Sequence, residues 1–277
     1  MTDSDWGDWL PREIEAAEPE GVTLWYLGCN GLAVKTSTDE VLYVDPYLGT
    51  GDPPRTVRMI PVPFDAADVA AADAVLATHE HTDHVHGPSQ APILETTGAT
   101  YVAPGASQRV AREEESWTDR WNVAPEQFRT VTPGDTVDVG ETTIHVLEVN
   151  DPDAVEPVGY VLEHPDGTVF HGGDTRPSDG FADVAERHDI DVGVVAFGSE
   201  GMIPDKATRV PKHTRWYNDE NEAIAVARAL ELDRLVPTHW DMWRGLTADP
   251  SALGQHASSF EYPRRVEILR IGDRLAI

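Results

Sequence analysis

Short apolar runs, each bounded by turn residues, dominate the first half of the chain and predict β-strands. The predicted strands cover 22–27, 32–35, 41–44, 74–77, 100–103 and two or three segments within 128–149. Helices are predicted over 6–20 and 104–114. The glycine- and proline-rich segment 49–63 is predicted to be a loop.

The second half of the chain alternates between strand and helix patterns. A hairpin is predicted from 158–163 and 168–171, because a Pro-Asp-Gly turn separates them. The clearest helix covers 218–231, with Asn218 as its N-cap. The remaining predicted elements are a helix over 181–188 and strands over 192–197, 235–237 and 266–277.

The length of 277 residues suits one large domain or two small ones. No linker or repeat divides the chain, so we predict one α/β sandwich domain over 1–277, with 1–20 as an N-terminal helical extension. No apolar run approaches the ~20 residues that a bilayer crossing requires. The acidic start has no apolar core of a secretory signal, and the single cysteine, Cys29, excludes an internal disulfide. These features predict a cytoplasmic protein.

Acidic residues outnumber basic ones by 49 to 21, which gives a formal net charge of −28. Such a surface disfavours nucleic acid and anionic lipid, because both attract basic side chains. The acidic residues are spread along the chain, and only three residues are lysines. A dispersed acidic, lysine-poor surface suits concentrated salt, which screens the repulsion between its charges. We therefore predict a halophilic source.

Three histidines and an aspartate lie in the loop after the predicted strand 74–77: His79, His81, Asp83 and His84. Histidine is the commonest protein metal ligand, and carboxylates complete such sites. Alternation places His79 and His81 on one side of the loop, while Asp83 and His84 turn toward a neighbouring position. This spacing predicts ligands for two adjacent metal ions. A solvated polar loop is the alternative.

Two later segments share one arrangement, in which an apolar strand delivers a metal-ligand residue at its C-terminal end. Asp174 follows the strand over 168–170 after two glycines, which let the backbone approach closely and leave the carboxylate exposed. His239 follows the strand over 235–236. Alone, the Gly-Gly-Asp segment is typical of a turn and His239 of a buried histidine. Together with the histidine-rich loop, they predict one metal centre.

These segments resemble the metallo-β-lactamase superfamily. The resemblance rests on His79-x-His81-x-Asp83-His84, Gly173-Asp174 and Thr238-His239. It implies a four-layer αββα sandwich with metal ions at one edge of the β-sandwich. The segments Trp25 to Gly31, Ala74 to His79 and His239 to Trp243 are similar to those of the L-ascorbate-6-phosphate lactonase group within this superfamily.

The resemblance also implies how the ligands are divided between two ions, with Asp174 as the bridge. One ion would be held by His79, His81 and Asp174, and the other by Asp83, His84, Asp174 and His239. Most superfamily members supply a further histidine after the strand over 142–149, whereas Asn150-Asp151 follows here. The lactonase group also lacks this histidine. Asp151 is the candidate substitute, and His145 is predicted to be an ordinary strand residue.

The ligand set predicts a metal-dependent hydrolase with one or two divalent ions per chain. A bound divalent ion lowers the pKa of its water molecule to about 7, so we predict attack of metal-activated water on a lactone or other ester-like bond. A phosphorylated sugar acid is one candidate substrate. Asp83 and His84 are the candidate catalytic residues, with Asp83 orienting the water or accepting its proton. The lactonase resemblance implies manganese, and the wider superfamily implies zinc.

Basic residues are scarce, so an anion site near the metal ions is one interpretation of the places where they group. They group in the loop-like stretch from Lys206 to Arg215, in the loop over 49–63 with Arg55 and Arg58, and at Arg176. The residues predicted to contact an anionic small-molecule substrate are Lys206, Arg209, Arg58 and Asn30. Ordinary ion pairing on an acidic surface is the alternative. Cys29 is predicted to be a small buried residue rather than a nucleophile, because no motif places a base beside it.

Two other functions stay open at this point. A phosphodiesterase or nuclease of the same fold would use similar metal chemistry, although the net charge disfavours a polynucleotide. A non-catalytic metal-binding scaffold protein is the second alternative, and the missing histidine is its support. The lactonase resemblance also implies a homo-oligomer.

Overall fold

The computed structural model describes residues 4–198 and 200–277, which form two seven-stranded β-sheets packed face to face. Apolar side chains of both sheets meet between them, for example Leu24 and Val44 from one sheet and Val169 from the other. Helices cover the outer face of each sheet over separate apolar clusters. This order of layers confirms the predicted four-layer αββα sandwich. The first three residues of the predicted extension lie outside the described residues.

The first sheet combines antiparallel and parallel strands. Its strands are β1 (Thr23–Gly28), β2 (Gly31–Lys35), β3 (Val41–Val44), β4 (Ala74–Leu76), β5 (Thr100–Pro104), β6 (Phe128–Val131) and β16 (Arg274–Ala276). They lie in the order β16-β1-β2-β3-β4-β5-β6. The pairs from β16 to β3 are antiparallel and those from β3 to β6 are parallel.

The second sheet has the same mixed character. Its strands are β7 (Thr136–Val139), β8 (Thr142–Glu148), β9 (Val158–His164), β10 (Gly167–His171), β11 (Val192–Ala196), β14 (Arg234–Thr238) and β15 (Arg265–Val266). They lie in the order β15-β14-β11-β10-β9-β8-β7. The predicted hairpin is confirmed, since β9 and β10 pair antiparallel, and β10, β11, β14 and β15 are parallel.

In the part of the chain that the structure describes, seven α-helices cover the two sheets. They are α1 (Trp9–Ala16), α2 (Gly87–Thr97), α3 (Gly105–Arg109), α4 (Trp117–Trp121), α5 (Phe181–Ala185), α6 (Glu220–Ala229) and α7 (Ser251–Ala257). Buried Leu10 and Ile14 of α1 join the apolar cluster on the first sheet, so the predicted extension is packed onto the sandwich. No helix within the described residues combines the length and apolar character that a membrane crossing requires.

The predicted N-cap of α6 is wrong by one residue. Asp219 caps this helix, because its carboxylate accepts the N–H of Glu222 and the Glu222 carboxylate accepts the N–H of Asp219. Asn218 is buried instead, and its amide donates to the carbonyl oxygens of Thr175 and Ala196. Asn218 therefore ties the start of α6 to two strand ends.

The stretch described as loop-like around Lys206 is a β-hairpin. Its strands are β12 (Gly201–Pro204) and β13 (Pro211–Thr214), which pair antiparallel. Lys206 and Arg209 lie in the connection between them, where Asp205 binds the following backbone N–H groups. The side chains of these short strands are largely exposed, so the strands lack an apolar alternation. The hydrophobic pattern of the sequence therefore did not predict them.

Strands of both sheets end at one edge of the sandwich and deliver the predicted metal-binding residues there. His79 follows β4, and Asp151 follows β8. Asp174 follows β10, and His239 follows β14 directly. Because β10 and β14 run parallel on either side of β11, their carboxyl ends lie at the same edge. The topology thus brings together residues that are far apart in the sequence.

Candidate metal centre

A first group of four side chains meets at this edge: His79, His81, Asp151 and Asp174. His79 Nε2 lies 2.9 Å from His81 Nδ1 and 3.7 Å from Asp151 Oδ2. It lies 4.0 Å from Asp174 Oδ2. One ligand atom of each residue falls within 4.8 Å of the other three, so a single ion can contact all four.

A second group lies beside the first and shares Asp174 with it. His239 Nε2 is 3.0 Å and His84 Nε2 is 3.4 Å from Asp174 Oδ1. Asp83 Oδ2 approaches the same His84 nitrogen to 3.9 Å. Asp174 therefore turns one oxygen toward each group, which is the geometry of a bridging carboxylate.

Four buried atoms of these groups have no hydrogen-bond partner among the described residues: His84 Nε2, His239 Nε2, Asp151 Oδ2 and Asp174 Oδ1. Buried polar atoms are normally paired, because an unpaired one costs about 1–3 kcal/mol. Imidazole nitrogens and carboxylate oxygens are the donors that zinc and manganese take. The residues present therefore fit a centre for one or two divalent ions.

Asp45, which the sequence analysis missed, orients His84. Its Oδ2 lies 2.7 Å from His84 Nδ1 and accepts the Thr78 hydroxyl at 2.7 Å, while its Oδ1 accepts the Thr78 N–H. With Nδ1 facing this carboxylate, the opposite ring nitrogen of His84, Nε2, is directed toward Asp174, which is the arrangement of metal-binding histidines. The available signal was an aspartate directly after the strand over 41–44, at the same strand-end position as the predicted ligands.

His171 and Asn30 support the centre from inside the protein. His171 Nε2 donates to the Asn30 carbonyl at 2.9 Å, and His171 Nδ1 accepts the Gly173 N–H at 3.3 Å. Asn30 Oδ1 accepts the Thr238 hydroxyl at 2.6 Å, next to His239. Both residues are fully buried, so Asn30, predicted to contact substrate, instead holds the strand end that carries His239.

Cys29 is buried, as predicted, but it lies against the second group. Its Sγ is 3.7 Å from His239 Nδ1 and 3.8 Å from Asp83 Oδ2. No sequence motif indicates this neighbouring base, because His239 is 210 positions away in the sequence. Burial, followed by the charge of Asp83, raises the pKa of the Cys29 thiol. A neutral thiol at this place is a packing and hydrogen-bonding group, not a nucleophile.

The two carboxylates of the first group differ in their electrostatic surroundings. Burial, followed by the charge of Asp174, raises the pKa of Asp151 to about 6. Burial also acts to raise the pKa of Asp174, but His239 and His84 outweigh it and hold that pKa well below the usual carboxyl range. Asp174 is therefore the permanent negative charge of the centre.

The residues predicted to bind an anion have other contacts. Arg58 is partly buried and donates four hydrogen bonds to backbone carbonyl oxygens, those of Tyr47, Gly49, Ile60 and Pro61. Arg209 forms an ion pair with Asp52 at 3.1 Å, and Lys206 is exposed. Arg58 therefore organises the loop over 49–63, while Arg209 fastens the β12–β13 hairpin to this loop.

Arg55 and Arg176 both lie beside Trp216. The Arg55 guanidinium lies 5.1 Å above the Trp216 ring, and Arg176 donates to the Trp216 carbonyl at 3.5 Å. The backbone of Arg176 pairs with Asn150, the neighbour of Asp151. The Nε atoms of both arginines are buried, and neither finds a hydrogen-bond partner in the described part of the chain.

Comparison with known proteins agrees with this geometry. The family model described as the beta-lactamase superfamily domain matches residues 41–240, which include every histidine and aspartate of the two groups. The chain is 27% identical to the probable L-ascorbate-6-phosphate lactonase UlaG of Escherichia fergusonii, over 90% of this chain and 78% of that protein.

Solved structures share the fold at lower identity. Igni18, described as a novel metallo hydrolase from Ignicoccus hospitalis, superposes with a TM-score of 0.66 at 17% identity, over 92% of this chain and 98% of that one. The isothiocyanate hydrolase from Delia radicum gut bacteria has a TM-score of 0.63 at 16% identity, over 92% and 99%. At these identities the likeness concerns the fold alone.

Proposed function

Since this chain belongs to the metallo-β-lactamase superfamily and is a hydrolase of that superfamily, we propose that it hydrolyses a lactone or another ester-like bond of a small, anionic substrate. The observation that carries the proposal is the pair of buried donor groups that share Asp174. The 27% identical relative supports the choice of a lactone, because its name describes a lactonase.

We propose that His79, His81, Asp151 and Asp174 hold one divalent ion, and that Asp83, His84, Asp174 and His239 hold the other. Manganese and zinc both suit this mixture of imidazoles and carboxylates. When bound, such an ion polarises a carbonyl oxygen and makes a water molecule acidic enough to attack near neutral pH.

The side chains around the ions have separate tasks in this proposal. Asp83 is the partly exposed carboxylate of the second group, with 18% of its side chain accessible, so it can meet a water molecule that arrives with the substrate. It orients this water and accepts its proton. Asp45 and Thr78 hold His84 in place, and Cys29 packs against His239.

Arg176 and Arg55 are the proposed contacts for a substrate anion. Both guanidinium groups lie near Trp216, each has an Nε atom without a hydrogen-bond partner among the described residues, and Arg176 lies two residues after Asp174. A guanidinium with free N–H donors binds a phosphate or carboxylate oxygen through charge-assisted hydrogen bonds. Lys206 and Arg209 remain predicted contacts at the outer hairpin.

The proposal is tested by the metal content and the activity of the same preparations. The wild type, purified without chelator and resupplied with Mn²⁺ or Zn²⁺, is expected to retain one or two ions per chain and to open lactones in a screen that also contains phosphodiesters and thioesters. His81→Ala and Asp174→Ala are expected to lose the metal and the turnover, while His256→Ala, on α7, retains both.

The outcomes separate the alternative functions. Hydrolysis of phosphodiesters without hydrolysis of lactones would replace the lactonase proposal with a phosphodiesterase. If the wild type bound neither ion, a non-catalytic scaffold protein would replace the hydrolase proposal. The net charge of −28 favours a salt-rich cytoplasm as the environment of this protein. The assays should therefore be carried out in concentrated salt.

A further inference from the structure

A second cluster of metal-ligand residues lies on the outer face of the second sheet: His145 on β8, Glu163 on β9 and His188 after α5. Glu163 Oε2 lies 2.9 Å from His188 Nδ1 and 3.2 Å from His145 Nε2. The two imidazole rings have centroids 4.6 Å apart. One ligand atom of each residue lies within 4.8 Å of the other two.

This cluster is separate from the proposed catalytic centre. β8 runs from His145 toward Asp151, and six residues of strand and turn at about 3.3 Å each span about 20 Å. β9 runs in the opposite direction, with its first residue bonded to Thr78 at the centre and Glu163 close to its far end. None of the three residues is therefore part of the two groups around Asp174.

The fold holds the three side chains together. Glu163 lies opposite Thr143 in the β8–β9 ladder, so His145, two residues later on the same face, is its diagonal neighbour. The N–H of His188 donates to the Val184 carbonyl at 2.9 Å. Val184 is buried in the apolar cluster beneath the helices. Its burial anchors the segment that leads from α5 to His188.

The donor chemistry favours an ion over a simple ion pair. A single carboxylate oxygen faces two imidazole nitrogens, and protonating both rings would place two positive charges side by side. Two imidazoles and one glutamate are, by contrast, a common three-residue ligand set for zinc, in which water takes the fourth position. The Glu163 side chain is 49% exposed, so an ion and its water can enter from solvent.

We propose that His145, Glu163 and His188 form an auxiliary site for a divalent transition metal ion such as Zn²⁺, distinct from the catalytic centre. The ion joins two strands of the second sheet to the segment that follows α5. Since the unfolded chain does not hold these three residues together, occupancy stabilises the folded state by mass action.

The test counts ions in the full-length protein. The wild type, Glu163→Gln and His188→Asn are saturated with Zn²⁺, passed over a desalting column and analysed by plasma mass spectrometry. Both variants are expected to hold one ion per chain fewer than the wild type. His213→Asn is the matched control, because it removes a histidine that faces a single carboxylate, Glu200 at 3.3 Å, and it should match the wild type.

Folding and location are checked independently. Circular dichroism without metal establishes that the variants fold, and Glu163→Gln keeps the size of a half-exposed side chain. In zinc-soaked crystals, an anomalous peak is expected between the three residues of the wild type. Equal ion counts in wild type and variants, with no peak there, would overturn the proposal. The difference between wild type and Glu163→Gln persists even if the catalytic centre itself binds no ion, so the two proposals fail separately.

Discussion

Single residues decide which nitrogen atoms of the centre remain free to bind metal. Asp45 occupies His84 Nδ1, and the Thr78 hydroxyl lies 3.1 Å from His79 Nδ1. In both rings the opposite nitrogen, Nε2, then faces the Asp174 carboxylate. The ligand arrangement thus depends on residues that touch no ion themselves.

Replacing Asp45 tests this dependence. In Asp45→Asn the side chain keeps its size but loses its charge, so it holds the Nδ1 side of His84 less strongly and directs Nε2 toward Asp174 less well. We expect metal affinity to fall by about 10- to 100-fold, the usual effect of losing such a partner. Competition with a chelating dye measures the dissociation constant. Asp39→Asn, an exposed partner of Lys35, is the control, and an Asp45→Asn affinity equal to that of the control would contradict the assignment.

Arg176 is predicted to select substrates that carry an anion. A hydrogen bond to a charged group contributes about 1.5–3 kcal/mol, so Arg176→Gln should raise KM for a phosphorylated lactone by about tenfold or more. KM for the unphosphorylated lactone should change little, which separates anion recognition from damage to the loop. Arg12→Gln, on the surface of α1, serves as the control. Equal increases for both substrates would exclude an anion contact.

At the residue scale, the sequence indicated candidate ligands that follow recognisable strands and that the fold brings together. His79, Asp174 and His239 each lie at a strand end that the apolar pattern predicts. Asp45 and Cys29 were not assigned to the centre, because each reaches it through a contact with a residue distant in the sequence. Such contacts depend on strand order, which no local pattern contains.

Among the structural elements, the turn before β3 is joined to the turn between β7 and β8 by Glu40. Its carboxylate accepts the hydroxyls of Thr36 and Thr38 and the N–H of Glu141 at 2.7 Å. A Cβ at Gly140 would lie 2.0 Å from Glu40 Oε1, so the turn can approach only with glycine there. Glu40 therefore links a turn beside the central strand of the first sheet to the outermost hairpin of the second sheet.

This link predicts a pH dependence of stability. Burial acts to raise the pKa of Glu40, but the hydrogen bonds from Thr36, Thr38 and Glu141 outweigh it and lower the pKa below its ordinary value of 4.5. The stabilisation is therefore fully present above pH 4.5 and is lost as the pH falls through the lowered pKa.

Urea unfolding from pH 7 down to pH 3 measures this effect. The wild type should be more stable than Glu40→Gln at neutral pH, and the difference should shrink steadily on acidification. Glu141→Gln, which alters an exposed side chain and leaves the backbone N–H in place, should show no such trend. A difference between wild type and Glu40→Gln that does not change with pH would refute the role of the ionised carboxylate.

Elements were predictable where the apolar pattern was strong. The buried strands β1 to β5 match their predicted ranges within a residue or two, because nearly every position in them is buried. Helix α2 was not predicted, since it contains Pro92 and begins with Gly87-Pro88, which are typical of a loop. Tertiary packing on the first sheet stabilises it, through buried Ile93 and Leu94.

For the molecule as a whole, the net charge of −28 predicts a stability that increases with salt. Repulsion between surface carboxylates opposes folding, and the screening length falls from about 10 Å at 0.1 M salt to about 3 Å at 1 M. We expect the melting temperature to rise with KCl across this range. Potassium chloride is preferred to sulfate, which stabilises folded proteins generally. A melting temperature that falls with KCl would count against salt adaptation.

The overall architecture was predictable only in part from local patterns. Alternation and strand–helix units indicated an α/β sandwich, and the ligand motif supplied the four layers through its family resemblance. Local patterns did not separate β6, in the first sheet, from β7 and β8, in the second. The single-domain assignment over 1–277 stays a prediction.

The position of β16 has a consequence for the order of events during synthesis. β16 pairs with β1, so the outermost strand of the first sheet comes from residues made about 250 positions later. Until those residues leave the ribosome, the outer side of β1 presents unpaired N–H and C=O groups beside fully buried Leu24 and Trp25. A nascent chain of this protein therefore has an unpaired, aggregation-prone edge strand for most of its translation. Chaperone binding at β1 would prevent this strand from pairing with a neighbouring chain.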